Sequence, residues 1–261
     1  MSENRKFSVL MSVYVKENPV FLEEAVESII HQTLKPSEVV IVEDGPLTPE
    51  LYQVLEKLEA QSSIPIKRCP LVQNRGLGLA LQYGVLQCQY DVIARMDTDD
   101  IAVEDRFEQQ FELMEKENLD LLGGHIAEFI DQPDEIVSYR RVPTKHEDII
   151  AYQRMRSAFN HMTVMFKKDM VLKAGNYEDG LYMEDDLLWL NMISAGARTG
   201  NVDQILCKVR VGAGMFERRG GLRYLKLYRQ ARKRMHARGQ ISYGEYLKSV
   251  LIQVVVALCP G

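Results

Sequence analysis

Three aspartates fall within four positions in RMDTDD (95–100), directly after the apolar run Val92-Ile93-Ala94. Carboxylates this crowded repel one another unless a cation sits among them or water solvates them. Two arrangements answer that repulsion. One is an exposed acidic turn in which Asp100 caps the following helix. The other is a site for a hard divalent cation. Mg²⁺ and Mn²⁺ take oxygen ligands, and Mg²⁺ is usually held by one or two carboxylates with phosphate oxygens and water completing the shell. In such a site one member of the Asp97/Asp99 pair faces the metal while the other orders a ribose hydroxyl or a metal-bound water. Taken alone, an Asp-x-Asp spacing is a weak signal.

Four further stretches carry groups able to work with it. In VIVEDGP (40–46), Glu43 and Asp44 end an apolar run beside a tight turn. A carboxylate there can accept the imide N–H of a uracil ring, a contact that rejects bases lacking that donor; an ordinary Asp-Gly turn is the plainer alternative. QNRGLGLALQYG (73–84) sets Arg75 and unpaired backbone amides at a helix start, a natural anion site. Its glycines do not make a dinucleotide fingerprint, because the preceding strand ends at Cys69-Pro70 and a loop intervenes. GLYMEDDLLWLNM (180–192) opens a helix with Glu184, Asp185 and Asp186, where acids favour the helix dipole and where one can serve as a general base. His161, in FNHMTVMFKK (159–168), is placed either as a structural histidine or as a donor to a phosphate or acceptor oxygen.

The elements that must position these groups follow from periodicity. Buried strands are expected at 7–14, 37–45, 64–70 and 90–97, alternating with helices at 18–32, 48–61 and 76–88. Pro19 and the Thr48-Pro49 pair mark helix starts. This alternation predicts an α/β architecture with a mainly parallel mixed sheet flanked by helices. Ligands in such folds bind beyond the carboxyl ends of the strands, which selects Ser12 to Glu17, Glu43 to Gly45 and Asp97 to Asp100. The second half predicts a helix at about 102–118, a strand or strand pair at 120–130 with a bulge at Gly123-Gly124, a helix near 146–156 and a strand at 161–168. Helices at 169–175 and 184–196 and a last strand at 203–211 follow. Residues 1–215 read as one domain.

Composition sets the boundaries. The chain has 261 residues, 46% hydrophobic and 26% charged, ordinary globular values. A net charge of −5 argues against nucleic acid as a partner. Cys69, Cys88, Cys207 and Cys259 show no zinc or disulfide spacing, fitting free thiols in a reducing compartment. There is no secretory h-region, and the apolar run at 250–258 is too short for a bilayer span. A cytoplasmic protein is expected, peripheral on the inner face of the cell membrane if its basic tail binds lipid.

The ordered succession SVY, VEDG, NRGLGLA, MDTDD, HMTVMF and MEDDLLW, over residues 7–212, resembles the inverting glycosyltransferases of family 2, which have the GT-A fold. NHMTVMFKK and EDDLLWLNM are similar to the bacterial subgroup that extends lipid-linked O-antigen or capsule repeat units. The resemblance implies a UDP-sugar donor, Mn²⁺ or Mg²⁺, and a hydroxyl acceptor on a lipid-diphosphate-linked glycan. It implies that the backbone of Ser12, Val13 and Tyr14, with Glu17 and Asp44, holds the uridine, and that Arg75 approaches the base or diphosphate. Asp97 then contacts ribose or the metal shell, and Asp99 binds the metal. Asp185 is the implied base towards the acceptor hydroxyl, and Glu184 orients it. Two departures stand out: VEDGP replaces the family's commoner Asp-Asp-Gly-Ser, and KVRVGAGM carries no late histidine, leaving Arg210 as a diphosphate contact.

Two other classes share some of these features. A nucleotidyltransferase needs a triphosphate-gripping loop near the N-terminus, and SVYVKENP offers little for one. A sugar-nucleotide binding module has no need of the acids of EDD. Beyond the domain, 216–261 forms a basic tail: from Phe216 to Gly239 there are nine Lys or Arg against Glu217 alone. Leu222, Leu225, Tyr228 and Met235 form an expected apolar helix face among these cations, fitting either a helix packed on the core or an interfacial helix at 218–239 drawn to anionic lipid.

Overall fold

The structure is a computed structural model that describes residues 5–179, 182–212 and 221–258. Its first half follows the strand–helix alternation: β1 (Ser8–Val13), α1 (Pro19–Ile30), β2 (Glu38–Glu43), α2 (Pro49–Gln61), β3 (Ile66–Pro70), α3 (Leu77–Gln87) and β4 (Val92–Arg95). Local chemistry sets these boundaries. The Asn18 side chain accepts from the Val20 N–H at 2.9 Å and Thr48 from that of Leu51 at 3.3 Å, each cap followed by a proline. Every residue of β2 is buried, as expected of a central strand covered on both faces.

The second half comprises β5 (Ile101–Ala102), α4 (Arg106–Glu117), β6 (Leu121–Phe129), β7 (Ile136–Arg140), α5 (His146–Gln153), β8 (Met165–Lys167), α6 (Lys168–Lys173), α7 (Glu184–Ser194) and β9 (Thr199–Arg210). The sheet order is β3-β2-β1-β4-β8-β6-β9-β5, with β7 paired to β6. Pairing is parallel from β3 to β4 and again between β6 and β9, and antiparallel at β4–β8, β8–β6, β6–β7 and β9–β5. The expected bulge near Gly123-Gly124 occurs as register shifts against β9 on either side of His125. Strands β5 and β7 were not anticipated. β5 is only two residues long and β7 is largely exposed, so neither presents an apolar run of its own.

Two apolar layers close the sheet. Phe7, Met11, Leu22, Leu51, Phe107 and Phe111 belong to one, under α1, α2 and α4. Leu10, Val42, Leu81, Phe159, Tyr177 and Trp189 belong to the other, under α3, α5, α6 and α7. Cys69, Cys88 and Cys207 are buried free thiols.

The basic segment forms α8 (Gly221–Ala237), followed by α9 (Tyr243–Leu258). Residues 218–220 of the expected interfacial helix lie outside the described residues. Helix α8 does not use Met235 as an exposed apolar residue. Ala231 and Met235 are fully buried against Met183, Leu187 and Leu190 of the α7 region. Among the described residues, no helix is long and apolar enough to cross a membrane.

Candidate active site

The carboxyl ends of β1, β2 and β4 lie side by side because Val13 pairs with Glu43 and Leu10 with Arg95. After β1 the chain turns, Glu17 N–H to Tyr14 carbonyl at 3.0 Å, before Asn18 starts α1. That turn carries the exposed Tyr14 and the half-buried Ser12 and Glu17, while Val13 is buried. Thr98 of the acidic motif donates its hydroxyl to Glu17 Oε2 at 2.7 Å, tying the first strand's turn to the fourth strand's end.

Asp44 is 3% exposed, and its carboxylate accepts two backbone N–H groups, from Arg75 at 2.7 Å and Gly76 at 3.0 Å. Asn74 also donates to the Asp44 carbonyl at 3.1 Å. Gly45 makes this closeness possible: it sits at φ +86°, and a Cβ there would meet Asn74 N at 2.5 Å. Asp44 thus folds the 73–76 loop over the end of β2 and leaves Arg75 exposed at its rim. Glu43 is buried and paired with Arg68 at 2.6 Å.

Asp97, Asp99 and Asp100 offer oxygens that lie within 4.8 Å of one another. Beneath them Arg95, 1% exposed, pairs with Asp97. Burial, reinforced by Asp97 and Glu17 and opposed by Arg95, pushes the Asp99 carboxyl up to about 7. Burial with Asp99 and Asp97 lifts Asp100 well above the usual carboxylate range. Asp100 accepts the Arg210 N–H at 3.0 Å, and four residues separate it from Asp105, where the loop before α4 ends. It does not cap that helix. It anchors β9 to the site where β5 leaves for the sheet edge, and Asp105 occupies the N-cap position of α4. A hard divalent cation fits this donor set: three carboxylates are crowded around one buried guanidinium, leaving surplus negative charge and oxygen ligands only.

The second acidic group opens α7. Burial first, then Asp186 and Glu184, push Asp185 up to about 8. Glu184 is raised as well, by burial, with Asp186 and Asp97 adding and Arg95 opposing. Glu184 therefore lies within electrostatic reach of Asp97 and of Arg95. Asp186 has a separate task. It accepts from Gln153 Nε2 at 2.7 Å, and Gln153 Oε1 accepts from the Ala158 N–H, so this acid pins α5 and the 153–158 loop to α7.

His161 lies in a single 3₁₀ turn before β8, with Nε2 at 3.0 Å from the Tyr177 hydroxyl and its ring edge-on to Trp189. Burial and the nearby Arg95 hold it well below the usual imidazole range, so it stays neutral at physiological pH. The Arg210 guanidinium stacks on Phe21 at 3.7 Å and Phe129 at 4.7 Å and pairs with Glu24 at 2.7 Å. Its contacts are with α1 and β6, and its backbone N–H serves Asp100.

Sequence reasoning gave no role to Arg95 or Arg106. The Arg106 guanidinium is fully buried, donating to the Arg95 carbonyl at 2.7 Å and to Gln110 at 3.0 Å, while Gln110 donates to the Thr163 carbonyl at 2.8 Å. This polar network props up the end of β4 from below. The only available signal was an arginine ending an apolar run. Gly78 is a further packing constraint: a Cβ would lie 2.4 Å from the Glu178 carbonyl and 3.0 Å from Glu184 Cβ. Gly78→Ala is expected to lower stability by about 1–3 kcal/mol and to impair turnover more than donor binding. Urea denaturation beside steady-state kinetics measures both.

The backbone amides of Arg75 and Gly76, expected to be open to an anion, are taken by the Asp44 carboxylate, so only the exposed Arg75 side chain is left for one. Residues 8–173 match the family described as Glycosyl transferase family 2. The chain belongs to glycosyltransferase family 2. An uncharacterized glycosyltransferase of Haemophilus influenzae is 47% identical over 85% of this chain and 82% of its own length. The amylovoran biosynthesis glycosyltransferase AmsE of Erwinia amylovora is 42% identical, over 84% and 82%. A UDP-Gal:alpha-D-GlcNAc-diphosphoundecaprenol beta-1,3-galactosyltransferase of Escherichia coli is 35% identical over 98% of this chain and 92% of its own length. Among solved structures, S. aureus TarS 1–349 superposes with a TM-score of 0.64 at 17% identity, covering 87% of this chain and 64% of TarS 1–349. The mannosyltransferase PcManGT of Pyrobaculum calidifontis, in complex with GDP-Man and Mn²⁺, superposes at 0.67 with 15% identity, covering 98% and 75%. The glycosyltransferase has the GT-A fold.

Proposed function

We propose that this glycosyltransferase moves a hexose or N-acetylhexosamine from a UDP-sugar to a hydroxyl of a lipid-linked glycan in bacterial surface polysaccharide synthesis, with inversion at the anomeric carbon. The observation that carries this reading is the gathering of two acidic groups, Asp97 with Asp99 and the start of α7, in which Asp97, Asp99 and Glu184 share the field of buried Arg95. A relative at 35% identity whose donor is UDP-Gal, and whose acceptor is a diphosphoundecaprenol-linked sugar, supports both substrate classes. Residues 1–215 form the catalytic domain in this reading, and 216–261 a helical unit attached to it.

This reading gives each residue a task that its surroundings support. The turn at Ser12 to Glu17 and the Asp44-held loop line the nucleoside end, with Arg75 exposed towards the diphosphate. Asp99, with Asp97, would hold Mn²⁺ or Mg²⁺, which supplies positive charge beside a departing diphosphate. Asp185, raised to about 8, is a strong base for a carboxylate. It takes the proton of the acceptor hydroxyl as that oxygen bonds to the anomeric carbon and the bond to the diphosphate breaks, releasing UDP. Glu184 beside it orients the acceptor.

Calorimetric titration with UDP-galactose, UDP-glucose and their N-acetyl forms, with and without Mn²⁺, tests the donor. At least one UDP-sugar is expected to bind in a metal-dependent way and GDP-mannose not to. Binding of GDP-mannose alone would overturn the uridine assignment.

A further inference from the structure

Helix α9 carries a row of apolar side chains that the fold leaves in solvent. Tyr243, Leu247, Leu251 and Val255 recur every four residues, with Ile252 and Val256 beside them. Their exposures run from 41% at Leu247 to 63% at Leu251. Among the described residues, the fold leaves about half of this row's surface uncovered. Yet α9 is firmly held on its opposite side: Ser249 is buried and accepts from Arg232 Nε at 3.0 Å, and Arg232 also donates to the Arg154 carbonyl. The apolar row is therefore presented by a fixed helix.

Its neighbour supplies the second observation. Arg223, Lys226, Arg229 and Lys233 are exposed on α8, and residues 221–258 hold eight Lys or Arg against the single acid Glu245, in a chain whose net charge is −5. A helical hairpin with one apolar exposed row and one cationic exposed row, bordered by the exposed Tyr243, matches an anionic lipid interface: hydrocarbon for the row, headgroups for the cations, the aromatic ring at their boundary. A second copy of this chain would satisfy the apolar row but would leave the exposed α8 cations, Arg223, Lys226, Arg229 and Lys233, without an acidic counterpart on the hairpin beyond Glu245.

We propose that the α8–α9 hairpin seats the enzyme on an anionic phospholipid bilayer, with Leu247, Leu251, Ile252, Val255 and Val256 entering the interface and the α8 cations meeting the headgroups. The entering element is α9, and α8 is the brace, because the buried residues of α8 are spent on α7. The brace reaches the catalytic loop. Arg238 pairs with Glu178 through contacts of 2.5 and 3.0 Å, and Arg234 donates to the Asp179 carbonyl at 2.8 Å, a few residues before Glu184. Docking thereby fixes the base relative to the membrane surface, where a lipid-linked acceptor presents its sugar; this last point rests on the acceptor class proposed above.

Flotation of the full chain with phosphatidylcholine vesicles, with and without phosphatidylglycerol, tests it. Binding is expected only with the anionic lipid and is weakened by salt. Leu251→Asp/Val255→Asp and Arg229→Glu/Lys233→Glu are each expected to weaken it by roughly tenfold or more. Both pairs lie at exposed positions, and unchanged thermal melting verifies their folding. The Leu251/Val255 pair is expected to retain transfer to a water-soluble acceptor bearing a short alkyl chain, which separates this proposal from the functional one: a wild-type enzyme inactive on every acceptor overturns the latter alone. Absence of anionic-vesicle binding, binding indifferent to both pairs, or a dimer dispersed by Leu251→Asp without vesicle binding would each overturn the bilayer assignment.

Discussion

Asp185→Asn is expected to lower kcat by about 10²–10⁴-fold, the range for loss of a general base, with UDP-sugar affinity unchanged. The amide keeps the size and the place of the carboxylate at the start of α7 but cannot take a proton. The pH profile is the sharper readout. Because burial and the neighbouring acids Asp186 and Glu184 push the Asp185 carboxyl up to about 8, the base is largely protonated at neutral pH. Wild-type kcat/KM should therefore rise with pH through a midpoint near 8, and the residual activity of the variant should lack that limb. Steady-state kinetics over this range check both points. An Asp185→Asn enzyme with wild-type turnover would remove the base role from this residue, and Glu184→Gln with the larger loss would transfer it to Glu184.

Asp99→Asn carries the second large effect, and it acts on stability and activity in opposite directions. In the metal-free protein the Asp99 carboxyl stands at about 7, well above the value of an unfolded aspartate. The folded state then binds more protons than the unfolded one between those two values. Its contribution is fully present at low pH and is lost as pH rises towards 7. Asp185 acts in the same direction, up to about 8. Metal-free wild type should accordingly melt at lower temperature at pH 8 than near pH 5.5, and Asp99→Asn should relieve part of that loss. Mn²⁺ should reverse the order. At a concentration a hundredfold above its dissociation constant, a ligand of the folded state adds about 2.7 kcal/mol, which wild type should gain at pH 8 and the variant should not. Proton competition should shrink the gain below about pH 7. Turnover of the variant should fall by roughly two orders of magnitude or more. Thermal melts across pH with and without Mn²⁺ settle the sign of each effect, and an equal Mn²⁺ gain in both proteins would sink the ligand assignment.

Both variants lie in motifs that are contiguous in the chain, which is why they were legible. The alternation of apolar runs with helix-period segments over residues 7–97 determined the parallel half of the sheet, since a buried strand must be apolar along its whole length and a covering helix only on one stripe. That half alone brought Ser12 to Glu17, Asp44 and Asp97 to Asp100 to one edge. The acids of EDD were equally visible, but the role of Asp186, which holds Gln153, was not. The two-residue β5 and the largely exposed β7 carry no such pattern and were invisible.

Only the tertiary structure decided how the charges are reconciled. Arg95 sits two residues from Asp97 in sequence, but nothing in RMDTDD says that its guanidinium is buried within reach of Asp97, Asp99, Asp100 and Glu184 while its backbone carbonyl is held by Arg106. Burial is a property of what packs around a side chain, and here the surroundings arrive from β8, α4 and α7. The same holds for Asp44, whose neighbours 31 and 32 residues away turn it into the clamp of the Arg75 loop, and for Asp100, which serves β9 and not a helix start. It holds also for the basic tail, where sequence marked the cationic helix and the fold, by burying Met235 and leaving Leu251 in solvent, assigned the exposed apolar face to the helix after it. Local spacing determined which chemistry the chain carries; long-range packing determined which charges stay buried, paired or free to act, because dielectric and contact are set by groups distant in sequence.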